Sequence, residues 1–178
     1  MAEPISLTPD SFLDLGLVGE MRACTPYEMK QFVSRSVGYF WSFPHSQLYA
    51  EPSRLAAAGL LDEDVEPAGR RRKTYRLTRD GRSALARWLA EPSSDPTEIR
   101  DLGLLKLFFG GQTGDSERRA LAAEQHRSHD ERRSEYEQLR KEVADLANPH
   151  QLATLEMGLR YERAMTAFWK ELLTDDGA

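Results

Sequence analysis

The chain has 178 residues and a formal net charge of −5 at pH 7, which allows one domain or two small ones around a buried core. The single cysteine, Cys24, excludes an internal disulfide framework and a cysteine-rich metal site, and we expect it to be buried filler. No charged segment followed by an apolar run opens the chain, and no stretch approaches about 18 consecutive apolar residues. These features predict a cytoplasmic protein with no membrane partner.

Three helices are predicted at the start of the chain, and local signals mark where they begin and end. Thr8 and Thr25 each precede a proline, which suits the first position of a helix, and Glu28 completes a capping box after Thr25. The first helix is expected to end at Gly19. The third covers roughly residues 46–58 and is followed by a helix-breaking glycine.

A two-stranded hairpin is predicted after the third helix. Its first strand begins at Leu60 and continues through the acidic residues 62–66, and its second is residues 73–78, with Tyr75 and Leu77 on one face. Thr78 is expected to cap a fourth helix that ends before Pro92. Three helices followed by a hairpin are the plan of a winged helix-turn-helix, in which the third helix enters the major groove of DNA.

The hairpin carries the most unusual charge of the chain. Residues 70–82 hold seven Lys or Arg and one acid, a local charge of +6, so the rest of the chain sums to −11. A basic segment on an acidic protein indicates a polyanion at that place, since Lys and Arg that neutralise phosphates release condensed counterions. The alternative is an ordinary solvated loop.

A second unit is predicted beyond a polar linker, which gives domains at 1–92 and 93–178. A capping box at Asp95 is expected to start one helix, Ser116 a long charged helix, and Asn148 the last. These helices have narrow apolar seams with too little core to stand alone, so we expect them to dimerise with a second copy. The residues expected between subunits are Tyr136, Leu139, Val143, Leu155, Leu159 and Phe168.

Several short motifs resemble those of the PadR family of transcriptional regulators. They are Ser46-Gln47-Leu48-Tyr49, Arg54-Leu55, Gly59-Leu60-Leu61, and Arg72-Lys73-Thr74-Tyr75-Arg76-Leu77-Thr78 with Gly81. This resemblance covers residues 8–91. Residues 156–162 and the pair Phe168-Trp169 resemble the end of the longer subfamily, which has a virulence-activator-like C-terminal helical domain that wraps around a partner subunit.

Two features depart from the family pattern. Pro52 stands where the family has an apolar residue inside the third helix, which predicts a kink or a shifted start. The first strand of the hairpin is acidic, which would repel DNA unless it faces away. Taken as a whole, the resemblance implies a mainly α fold with a small β hairpin, namely a winged helix-turn-helix plus a C-terminal helical dimerisation domain.

The candidate DNA contacts lie on the second helix, the third helix and the hairpin. Gln47 can bond adenine with two hydrogen bonds, and Ser46 or His45 can reach a base edge or a phosphate from the helix start. The resemblance implies a phosphate contact for Tyr49. The remaining candidates are Tyr27 and Lys30 on the second helix and Arg70, Arg71, Arg72 and Lys73 on the hairpin.

Other candidate sites carry weaker signals. His126 and His129 could face one side of a helix as a metal pair, but no third ligand is evident and a solvated face is favoured. The glycine-rich residues 110–114 lack the lysine of a phosphate loop and are expected to form a turn. The aromatic cluster at residues 39–43 indicates core packing or, alternatively, one wall of a pocket for a flat aromatic effector.

The sequence as a whole favours a dimeric, sequence-specific DNA-binding repressor that recognises an inverted-repeat operator. The alternative is a winged-helix module that binds an acidic protein surface instead of DNA. No catalytic constellation is evident, so we expect neither an enzyme nor a cofactor.

Overall fold

The computed structural model describes residues 5–42, 44, 46–68 and 71–174 of the chain. It divides into two compact units, Met1–Asp95 and Pro96–Ala178. The first contains α1 (Pro9–Met21), α2 (Pro26–Ser34), α3 (Gln47–Ala57), β1 (Leu61–Val65), β2 (Lys73–Leu77) and α4 (Arg79–Ala90). The second contains α5 (Leu102–Phe108), α6 (Asp115–Val143) and α7 (Pro149–Thr174). Short 3-10 turns lie at Val37–Tyr39 and Gly110–Gln112.

The predicted helix starts of the first unit are confirmed. Thr8 Oγ1 accepts a hydrogen bond from the amide of Ser11 at 3.3 Å, and Thr25 Oγ1 accepts one from the amide of Glu28 at 3.3 Å. Glu28 Oε2 in turn accepts from the amide of Thr25 at 2.8 Å, which completes the capping box. Thr78 Oγ1 caps α4 by accepting from the amide of Gly81 at 3.0 Å.

One hydrophobic core joins the helices to the hairpin in this unit. Its buried side chains include Leu15, Val18, Met29, Leu48, Leu55, Leu61 and Tyr75. Cys24 is buried as expected, and its backbone pairs with Tyr75 through hydrogen bonds of 2.9 and 3.2 Å. Because β2 is bonded on both sides, to β1 and to Cys24, the hairpin is held firmly on the helices.

Helix α3 runs without interruption through Pro52, whose ring is fully buried. The helix begins at Gln47, within one residue of the predicted start, and is followed by Gly59 in the left-handed region with φ of 76°. A second glycine is required by close packing, because a Cβ at Gly81 would overlap the carbonyl oxygen of Leu60.

The hairpin register decides which side chains face the core. The strands are antiparallel, with Leu61 opposite Leu77 and Glu63 opposite Tyr75. Since side chains alternate between the two faces of a strand, Glu63 and Lys73 share the inner face with Tyr75. The outer face carries the exposed side chains of Asp62, Asp64 and Arg76.

The first helix of the second unit was predicted to begin at Asp95, and this prediction is wrong. Residues 92–101 form no helix or strand, and α5 begins at Leu102. The physical reason is a competing cap, because the side chain of Asp101 accepts a hydrogen bond from the amide of Leu104 at 3.0 Å.

Helices α6 and α7 form an antiparallel pair. Asn148 caps α7 as predicted, since its Oδ1 accepts from the amides of His150 and Gln151 at 3.0 Å. The buried seam contains Ala122, Tyr136, Leu159 and Trp169. Among the helices described, none is long and apolar enough to cross a membrane.

Candidate nucleic-acid interface

One face of α3 is exposed and carries groups that can bond to DNA. Ser46 lies at the helix start without capping it, so its hydroxyl is exposed, and the ring of Tyr49 is 52% exposed one turn further. Tyr27 and Lys30 are also exposed, one turn apart on α2, and Tyr27 OH accepts a hydrogen bond from Gln31 Nε2 at 3.0 Å. These predicted contacts are therefore accessible to a ligand. His45 lies outside the described residues.

Gln47 lies on a different face of α3 from Ser46 and Tyr49. It lines a cleft of about 340 Å³ together with Ser6, Thr8, Asp10, Ala50, Glu51 and Arg54. Its side-chain oxygen is buried and accepts no hydrogen bond from any described residue. A contact between Gln47 and a base edge would thus require a different rotamer, one that turns the amide out of the cleft.

The exposed arginines of the hairpin lie near acids but are not tightly held. Arg71 is exposed at the turn, in the left-handed region with φ of 48°. Arg72 Nη2 lies 3.8 Å from Glu28 Oε1, and Arg76 Nη1 lies 4.0 Å from Asp64 Oδ2. Exposed pairs at such distances contribute little free energy, so a phosphate can replace the carboxylate. Arg70 lies outside the described residues.

Lys73 differs from these arginines, because its ammonium group is bound within the hairpin. Its Nζ donates hydrogen bonds to Glu63 Oε2 at 3.0 Å and to Ser53 Oγ at 3.1 Å. The hydrogen bond with Glu63 raises the pKa of Lys73, and bonds from Lys73 and Tyr75 lower the pKa of Glu63. Neither Ser53 nor Glu63 was predicted as a partner of Lys73, although period-2 alternation from Leu61 places Glu63 on the inner face.

The residues predicted between subunits divide into three groups by exposure. Tyr136 and Leu159 are buried within the chain, where the ring of Tyr136 lies against Gly158. Leu139, Val143 and Leu155 are half-buried, and Phe168 is exposed. Their position between subunits stays a prediction. That prediction omitted the exposed apolar residues of α5, which are Leu102, Leu105 and Phe108, with Phe109 just beyond the helix.

The solvated face that was expected for the histidine pair is wrong for His129. His129 is buried between α6 and α7, with its Nδ1 2.6 Å from Glu162 Oε2. The charged sequence around it hid this position, because only one narrow stripe of α6 faces α7. No group of three metal-ligating side chains occurs in the described part of the chain.

The aromatic cluster does not pack in the core. Tyr39, Phe40 and Trp41 are exposed, and Phe43 lies outside the described residues. Trp41 Nε1 donates a hydrogen bond to Asp10 Oδ1 at 3.0 Å, which holds this indole beside α1. The expectation of core packing is therefore wrong for the described members.

Comparison with known proteins supplies two family matches and several relatives. Residues 15–87 match the Transcriptional regulator PadR-like family, and residues 99–175 match the family described as Virulence activator alpha C-term. The chain is 31% identical over 85 residues to the negative transcriptional regulator PadR of Bacillus subtilis. It is 35% identical over 78 residues to Rv1176c of Mycobacterium tuberculosis, which is described as a probable transcriptional regulator.

These sequence matches are partial, whereas the structural likeness extends along the chain. The first match covers 47% of this chain and 47% of B. subtilis PadR, and the second covers 41% and 40%, so the chain spans less than half the length of either curated relative. The crystal structure of B. subtilis PadR with operator DNA has a TM-score of 0.83 at 22% identity, covering 93% of this chain and 98% of that one. At this identity the likeness establishes the fold.

The chain thus has a winged helix-turn-helix fold followed by a C-terminal helical unit. The chain carries a PadR-like family domain over residues 15–87 and a virulence-activator-type C-terminal domain over residues 99–175. The matched family and the matched relatives are transcriptional regulators, not enzymes.

Proposed function

We propose that the protein is a dimeric, sequence-specific repressor that binds an inverted-repeat operator. The observation that carries this proposal is the exposed face of α3, with Ser46 and Tyr49, beside a hairpin whose arginines are weakly paired. A helix that reads bases needs exposed polar groups. The hairpin of β1 and β2, which we call the wing, would follow the DNA backbone and needs cations that are free to contact phosphates. A regulator that binds chromosomal DNA acts where the DNA lies, so we place it in the cytoplasm.

In this proposal the two elements have separate tasks. Helix α3 enters the major groove, where Gln47 and Ser46 read base edges and Tyr49 contacts phosphate. Tyr27 and Lys30 of α2 contact the adjacent phosphate backbone, and His45, which precedes α3 in the sequence, contacts a base edge or a phosphate. The turn of the wing neutralises phosphates through Arg70, Arg71 and Arg72, which supplies affinity without sequence preference.

The second unit is the proposed dimerisation domain. Leu102, Leu105, Phe108 and Phe109 leave an apolar surface on and just after α5, and Phe108 is 81% exposed in the single chain. A surface of this kind marks a protein interface, and a two-fold pair of chains is the commonest solution. Two-fold symmetry would present two α3 helices to an inverted repeat with half-sites about 34–36 Å apart.

A small aromatic effector is the remaining part of the proposal. B. subtilis PadR has been crystallised in complex with p-coumaric acid, and that structure has a TM-score of 0.74 at 22% identity, covering 94% of this chain and 97% of that one. We infer that a planar phenolic acid binds this chain as well and that its binding lowers the operator affinity of this chain. Titration of the DNA complex with p-coumaric acid tests this, and unchanged affinity at saturating acid would contradict it.

The central test is selection of duplexes from a random-sequence library by the full-length protein. We expect an enriched inverted repeat, bound at least about 10³-fold more tightly than a scrambled duplex of equal length. Repression is then checked with a reporter gene behind the enriched sequence. If no sequence is enriched and the protein binds an acidic protein surface instead, the winged-helix interaction module is the correct interpretation.

A further inference from the structure

Four polar side chains meet where the hairpin packs against α3. Glu63 Oε2 of β1 accepts hydrogen bonds from Tyr75 OH at 2.8 Å and from Lys73 Nζ at 3.0 Å, both on β2. Ser53 Oγ of α3 donates to the same Glu63 oxygen at 3.2 Å and lies 2.9 Å from Tyr75 OH. Lys73 Nζ also donates to Ser53 Oγ at 3.1 Å. We call these four side chains the wing–helix latch, because they join both strands of the wing to α3.

We propose that Lys73 is a positioning residue of the DNA-binding unit. With Glu63 it fixes the orientation of the wing relative to α3, and it does not neutralise a phosphate. This inference rests on the proposed function, because it assigns roles within an interface between α3, the wing and DNA. The inference also gives Lys73 a different role from that of the neighbouring arginines, with which Lys73 shares only its charge.

The surroundings of Lys73 make a phosphate contact unfavourable. To reach DNA, its ammonium would have to leave two hydrogen bonds, to Glu63 and Ser53. The Glu63 carboxylate, only 25% exposed, would then keep its negative charge without its cation and close to the DNA. The ring of Tyr75 would stay buried, but the Tyr75 hydroxyl would then donate to a Glu63 carboxylate whose charge Lys73 no longer neutralises.

Neutralising an acid near DNA ordinarily strengthens DNA binding. At Glu63 the proposal predicts the opposite, a loss of affinity, so a variant at this position tests it. Glu63→Gln removes the charge that holds Lys73, and we expect weaker binding to the operator. Asp64→Asn is the matched control. It removes the same charge from the adjacent position of β1, but Asp64 lies on the outer face, opposite Thr74, where Arg76 Nη1 lies 4.0 Å from its Oδ2. We expect this variant to bind all duplexes slightly more tightly.

The experiment measures dissociation constants of full-length protein by fluorescence anisotropy at several salt concentrations. The probes are the library-enriched duplex and a scrambled duplex. We expect Lys73→Met to lower affinity for the enriched duplex about 3- to 10-fold, with a smaller loss on the scrambled duplex and no change in the salt slope. Adding Glu63→Gln should cause little further loss, because both changes break the same contact. Arg71→Gln should instead reduce the slope by about 1 per protomer.

A second measurement detects the latch without DNA. Amide hydrogen exchange of residues 73–77 should become faster in Lys73→Met and Glu63→Gln and stay unchanged in Asp64→Asn. Tyr75→Phe keeps the buried ring and removes only the hydroxyl, so it tests the latch even if another variant folds poorly.

Two results would overturn the proposal. One is a slope reduction by Lys73→Met as large as that by Arg71→Gln, which would make Lys73 a phosphate contact. The other is a gain in affinity by Glu63→Gln equal to that by Asp64→Asn. If the unchanged protein enriches no duplex, the proposed function fails, and unchanged exchange in the latch variants would overturn the latch independently.

Discussion

At the scale of single residues, Asp14 is a buried carboxyl in the first unit of the chain. It is 2% exposed, and burial, followed by the charges of Glu51 and Asp10, raises its pKa from 3.8 to about 8. Because the pKa of Asp14 is higher in the folded chain than in the unfolded chain, the Asp14 carboxyl favours folding most below about pH 4. That contribution is lost as the pH rises through about 8.

We therefore expect Asp14→Asn to stabilise the protein increasingly between pH 5 and pH 8. The gain in the free energy of unfolding should reach about 1–3 kcal/mol at pH 8, measured by urea denaturation. Glu20→Gln on the exposed side of the same helix is the control and should show no such trend. An equal effect of Asp14→Asn at both pH values would mean that the carboxyl does not titrate in this range.

Gln47 is the residue on which sequence preference is expected to depend most. Gln47→Ala should cost about 1–3 kcal/mol on the enriched duplex and relax the preference at one base pair. The comparison of enriched and scrambled duplexes by anisotropy measures this, with Gln138→Ala on α6 as the control. Equal losses on both duplexes would show that Gln47 only positions α3. The place of Gln47 in the cleft beside Asp10 would then explain this role.

At the scale of elements, the wing is expected to supply the salt-dependent part of the affinity. If both wings of a dimer bind, with roughly 6–10 phosphates neutralised, log K should fall with log salt at a slope of about −5 to −9. Replacing Arg70, Arg71 and Arg72 with Gln should weaken binding to all duplexes alike and flatten the slope. Lys141→Gln on α6 is the control, and a flat response of the unchanged protein would contradict the role of the wing.

Elements set by neighbouring residues were predictable from the sequence, and those set by distant residues were not. The caps at Thr8, Thr25 and Thr78 depend on contacts within three residues, so local patterns found them. The start of α5 was missed because Asp95 and Asp101 offered two competing caps, and only packing selects between them. The bond between Lys73 and Ser53 was missed because it depends on how the hairpin docks on α3.

At the scale of the whole molecule, the apolar surface on and beside α5 is expected to hold two chains together. Leu105→Asp combined with Phe108→Asp should yield monomers, because a buried unpaired carboxylate costs several kcal/mol at an interface. Light scattering after size exclusion measures the mass, and anisotropy should show operator affinity falling towards the non-specific level. Ala153→Asp, exposed on α7, is the control. A shortened chain ending at Pro92 that still dimerised and bound the operator equally well would contradict this assignment.

The buried pair of His129 and Glu162 has a further consequence for the long helices of the second unit. A seam of aliphatic side chains alone would tolerate sliding of one helix along another by one turn, about 5.4 Å, since one aliphatic side chain can replace another. In this pair such a slide would part the imidazole of His129 from the carboxyl group of Glu162 and leave that buried group without its partner, which costs about 3–5 kcal/mol. This buried polar contact, together with the fit of the Tyr136 ring against Gly158, thus selects a single alignment of two helices of 29 and 26 residues, and with it the height at which every surface group of α7 stands.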